Sequence, residues 1–147
     1  RVSSRPEEAL PVLEANLAFC RRYESHDEEA GCQALLCAQG NFANCLEILG
    51  RHDEALVLRR EVYAGYAALF GASDERTIGN GLNVANSLFQ LELWDEAKSR
   101  LRDQLHAARQ SLGADHYVTL IISQRIARAL DDNPKRTRDD LLEAETI

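Results

Sequence analysis

Apolar, helix-favouring runs alternate with short turns along the whole chain, and stretches with the two-residue alternation of a half-buried strand are nearly absent. The punctuation is helical. Gly50, Gly71 and Gly113 each follow such a run and can take the left-handed conformation that ends a helix, while Ser73 or Asp74, and then Asp115, follow as N-caps. Pro134 takes the place of that glycine further on, and because a residue before proline is pushed out of the α region, the helix there is expected to stop near Asp132 or Asn133. The pattern predicts seven helices, at about 6–23, 28–49, 53–69, 75–91, 94–111, 116–132 and 137–146.

The pattern also repeats. The segment from Phe70 (FGASDERTIGNGLNVANSL) lies over that from Leu112 (LGADHYVTLIISQRIARAL) without a gap, an offset of 42. The same offset carries Asn41–Leu46 onto Asn83–Leu88 and then onto Arg125–Leu130, and carries GRHDEALVL onto ELWDEAKSR. Ala43, Ala85 and Ala127 keep a small residue where two helices approach, and Leu46, Leu88 and Leu130 keep a large apolar one three residues on, the alternation that lets helices interdigitate. Since one helical pair cannot cover its own apolar stripe, copies of this kind are expected to stack.

The stretch LGADHYVTL (Leu112–Leu120) resembles the LGxDHPxTL junction of 42-residue tetratricopeptide repeats of the kinesin light chain type, with Tyr117 in place of the proline; GRHDEA is similar to the family's GRYDEA turn. The similarity covers about residues 28–147, with a fainter trace over Glu7–Tyr23. It implies an all-α, right-handed superhelical solenoid of antiparallel helix pairs, a single unit with repeats at about 28–69, 70–111 and 112–147, preceded by the second helix of a partial repeat at 6–23. The resemblance further implies a concave groove lined by the first helix of each pair and used to bind a peptide or partner domain. Arg1 in place of methionine, and an amphipathic pattern still running at Ile147, suggest a piece of a longer protein.

Two polar columns interrupt the apolar pattern of the first helices: Asn41, Asn83, Arg125 and Asn44, Asn86, Arg128. Positions three apart share a helix face, so the six form a ladder; amides can pair with a peptide backbone and guanidinium groups can fork onto carboxylates. In the family the matching positions face the groove, which makes these six, with Arg76 extending the positive side, the expected partner-contacting set. A competing reading leaves the same side chains solvated, or uses them to tie neighbouring helices together. Arginines there suit an acidic or C-terminal carboxylate ligand. The alternative function is a structural or spacer subunit of a large assembly, bound through convex faces and termini, with Arg59, Arg60, Arg100 and Arg102 of the second helices as its contacts.

Charge and composition narrow the field. The formal charge of -7 opposes a sequence-independent grip on nucleic acid. No run approaches the ~20 apolar residues of a membrane span, so direct membrane insertion is not expected. Cys20, Cys32, Cys37 and Cys45 lack metal or redox spacing and read as small core residues of a reducing compartment, which points to the cytoplasm. His26 and His52 each precede Asp-Glu, but adjacent helical residues diverge by about 100°, so helix-start acids are favoured over a metal site. Asp139 and Asp140 read as surface acids, Trp94 and Tyr63 as packing residues. No phosphate loop or nucleophile motif is present, and no enzyme activity, metal or cofactor is expected.

Overall fold

The computed structural model describes residues 6–22 and 28–146. Those residues form seven α-helices: α1 (Pro6–Arg22), α2 (Glu28–Ile48), α3 (His52–Phe70), α4 (Glu75–Gln90), α5 (Trp94–Ser111), α6 (Tyr117–Asp132) and α7 (Arg138–Thr146). No strand occurs among them, so the described chain is all-α.

The turns are copied along the chain at the 42-residue interval. After α2, the Arg51 amide donates to the Leu46 carbonyl at 2.8 Å and Gly50 to Glu47 at 3.0 Å; after α4, Leu93 donates to Leu88 at 2.9 Å and Glu92 to Phe89 at 3.0 Å. Both satisfy carbonyls that a helix end leaves unpaired. The first uses Gly50 at φ 76°, whereas the second forces Glu92 to φ 58°, a left-handed conformation that an ordinary side chain adopts only at a cost. Gly71 departs from the expected left-handed cap: at φ 87° and ψ 160° it occupies a region open to glycine alone. As the proline predicted, α6 ends at Asp132; Asn133 is extended, and its side chain accepts from the Lys135 amide at 2.9 Å.

The helix starts correct one expectation. Asp74 caps α4 by accepting from the Arg76 amide at 2.9 Å, but α6 is capped by His116, whose Nδ1 accepts from Val118 at 3.3 Å. Asp115 was the expected cap; the equivalent of Asp74 in the 42-residue frame is His116, and an imidazole nitrogen there replaces the carboxylate.

Each helix packs on the next in the chain, and α4 also reaches α6. The repeated small and large columns form the core: Ala43 and Ala85 are fully buried, as are Leu46, Leu88 and Leu130, while Ala127 is half-buried. Polar bonds then join alternate helices. In one row Glu47 of α2 meets Ser87 of α4, and Asn86 of α4 meets Arg125 of α6. In the other, Arg60 of α3 meets Glu96 of α5, and Lys98 of α5 meets Asp140 of α7 at 3.0 Å. Tyr117 donates to Glu75, its own equivalent one period earlier.

Several residues read from the sequence stand elsewhere than expected. Asp140 is buried, not a surface acid, because Lys98 and the Thr137 amide surround it. Of the cysteines, Cys45 is buried in the small-residue column it shares with Ser87 and Ala129, but Cys32 and Cys37 are exposed, off the stripe that runs through Leu36, Ala43 and Leu46. Cys37 still touches the core edge, 3.4 Å from the Tyr66 hydroxyl, and burial with this contact pushes the Tyr66 phenol up to about 12. The Cys20 side chain and His26 lie outside the described residues. Leu120, in the column where Ile78 is fully buried, is half open to solvent, and Leu142 of α7 is similarly exposed, so the last helices carry apolar edges.

Candidate functional site

The polar ladder falls on α2, α4 and α6, and its seven residues meet different fates. Asn41 is exposed on α2 and Asn83 half-buried on α4. Asn44 is turned to a neighbour: its Oδ1 accepts from the Arg59 guanidinium at 2.6 Å. Arg59 in turn holds both oxygens of Glu47, at 3.0 and 2.6 Å, and Glu47 also accepts from Ser87 of α4. Burial raises the Glu47 carboxyl, but the hydrogen bonds from Arg59 and Ser87 outweigh it and hold the group below its ordinary value. Arg59, expected on the convex surface, is only 7% exposed; it is a packing residue, because its guanidinium meets a carboxylate and an amide inside the α2–α3 contact.

Asn86, Arg125 and Arg128 are brought together. Arg125 Nη1 donates to Asn86 Oδ1 at 2.6 Å, and both side chains border a small cavity of about 170 Å³ with Arg128. Its apolar floor is Phe89, Trp94 and Ala129, and Asp132 stands at its edge, 3.6 Å from Arg128. Phe89 and Trp94 pack on each other with centroids 5.7 Å apart. Trp94 is thus the packing residue the sequence suggested, with one side left facing the cavity. On its other side Asn86 borders a second opening, about 470 Å³, with Glu47, His52 and Gln90. His52 Nδ1 is buried there without a hydrogen-bond partner.

Arg76 does not join this group. It is exposed, bonded to Asp74 at 2.9 Å, and its guanidinium lies 3.5 Å from the centre of the Phe70 ring, so it closes the α3–α4 turn. Sequence reasoning missed Phe89 as a cavity wall. One signal was available: Phe89 lies one turn beyond Asn86 on the same helix, at the spacing that puts two side chains on one face.

The cluster can do polar recognition. Arg128 is 85% exposed at its side chain and tied to Asp132 only at long range, which leaves donors for an incoming carboxylate; Asn86 and Arg125 position each other at its back. Among the described residues no group of three or more histidine, cysteine, aspartate or glutamate side chains is placed to hold a metal ion. Nor, among them, is any helix long and apolar enough to cross a membrane. Comparison with known proteins returns no matching family model, no matching curated protein and no matching solved structure.

Proposed function

We propose that this chain is a protein-interaction scaffold: a right-handed superhelical solenoid of tetratricopeptide type, built from antiparallel helix pairs at about 28–69, 70–111 and 112–147, that binds a peptide or partner domain along its first helices. The solenoid reading is supported by bonds joining alternate helices at separations of 36 to 42 residues. The observation that carries the binding reading is the cavity where Asn86, Arg125 and Arg128 surround Phe89 and Trp94. Apolar floor and cationic rim together suit a partner segment that ends in, or carries, a carboxylate. Asn41, Asn44, Asn83 and Arg76 then flank the site, Asn44 acting chiefly through Arg59. The cytoplasm is the setting proposed, in keeping with the free Cys32, Cys37 and Cys45.

The test is affinity capture with the chain and with its Arg125→Glu, Arg128→Glu double variant, followed by mass spectrometry. Partners should be lost from the variant, and their crosslinks to the native chain should map to α4 and α6. Undiminished recovery of the same partners would show that the cavity is not where they bind. The alternative, a spacer subunit held by the arginines of the second helices, has less support: Arg59 is buried, Arg60 bonds Glu96, Arg100 lies over the Tyr63 ring and Arg102 bonds Glu143.

A further inference from the structure

In the 42-residue frame, Glu14, Leu56, Lys98 and Asp140 occupy one column. The last three are buried. Leu56 packs with Val84 and Leu88, and Lys98 bonds Asp140. Glu14 alone of the four is exposed, and the contact of α1 with α2 and α3 is correspondingly open. A cavity of about 490 Å³ lies there, floored by Phe42, Leu46 and Leu58 and rimmed by Glu14, Glu54 and Val57. Val57 leaves 59% of its surface in water at this rim, apolar area whose coverage is worth about 25 cal/mol per Å².

The sign of the rim says what fits. Glu54 is held by Arg51 at 2.6 Å, so one carboxylate is already neutralised, and Glu14 carries the net charge of the opening. The exposed Glu7 and Glu8 in the first turn of α1 add to it, within a chain of formal charge -7. A cation is drawn to such a rim and an anion repelled. We infer that the α1–α2–α3 cleft is a second docking site, opposite in charge to the Arg125–Arg128 cavity, for a basic amphipathic peptide segment. An aliphatic side chain of that segment enters against Phe42, Leu46 and Leu58, and a lysine or arginine one turn away meets Glu14.

The experiment uses the ¹⁵N-labelled chain at low salt, titrated with a short amphipathic leucine–lysine peptide and with its leucine–glutamate counterpart. The lysine peptide should shift the Phe42, Val57 and Leu58 amides in a saturable way, and the glutamate peptide should leave them in place. Glu14→Lys and Val57→Lys, both at exposed positions where circular dichroism can verify an intact fold, should each weaken binding by about tenfold or more, equivalent to about 1.4 kcal/mol. Equal binding of the two peptides, shifts confined to α4–α6, or full affinity in Glu14→Lys would overturn the proposal. The Arg125→Glu, Arg128→Glu variant should bind the lysine peptide undiminished, so this site stands or falls separately from the carboxylate-binding cavity.

Discussion

The contact between α2–α3 and α4–α5 and the contact between α4–α5 and α6–α7 use the same columns of the repeat for different physics. Arg59 and Leu101 are equivalent positions, and both are buried. At the earlier contact Arg59 ties Asn44 and Glu47 together, and Glu47 reaches Ser87 across to α4. At the later one Leu101 sits fully buried in the largest apolar cluster, with Ile78, Leu105, Ile122, Ile126 and Leu130. One junction is thus cemented by charge and hydrogen bonds, the other by apolar packing with its ion pairs toward α7. A buried ion network adds little net stability over an apolar replacement, yet it penalises any misfit heavily, so it sets register; an apolar cluster supplies stability and tolerates more.

Three changes would break or sharpen that contrast. The largest effect is expected from Arg59→Ala, which strands the Glu47 carboxylate in a partly buried site and should cost about 3–5 kcal/mol of unfolding free energy. Replacing both partners, Arg59→Leu with Glu47→Leu, should restore most of it; a single variant as mild as a surface change, under about 0.5 kcal/mol, would erase the distinction between the junctions. Next comes Leu101→Ala, expected to cost roughly 3 kcal/mol through lost burial and a residual cavity, with no rescue from a second substitution of a polar neighbour. Denaturant titrations of both variants read these losses directly.

The smallest concerns the outer ion pair. The Thr137 amide and then Lys98 hold the Asp140 carboxyl below its usual 3.8, at about 2. A carboxyl depressed in the folded state contributes stability that is whole above about pH 4 and disappears as the pH falls toward 2. Asp140→Asn should therefore cost roughly 1–2 kcal/mol at neutral pH, and the difference between variant and parent should vanish at the acid end. A constant difference across that range would assign the loss to packing alone.

The helices and turns were legible because their signals are local. Glycine at 50, 71 and 113, proline at 134 and the acid at 74 act within a few residues of where they stand, and the observed helix ends lie within two residues of those expected. The 42-residue offset made the buried columns legible as well, since Leu46, Leu88 and Leu130 repeat. Charged residues were harder. Whether Arg59 or Asp140 is buried depends on Glu47 and Lys98 arriving opposite them, which no single segment announces. The candidate site was legible in part: Asn86, Arg125 and Arg128 were singled out and do meet, but their aromatic floor and the engagement of Asn44 by Arg59 depend on how neighbouring helices pack.

The bonds between alternate helices, from Arg60–Glu96 to Lys98–Asp140, never span more than one period of the chain. Closing such short loops costs little entropy, and chains dominated by them fold quickly. On a ribosome, each pair of helices would find its predecessor already in place as it emerges, so assembly can proceed from the N-terminal side without waiting for the remainder.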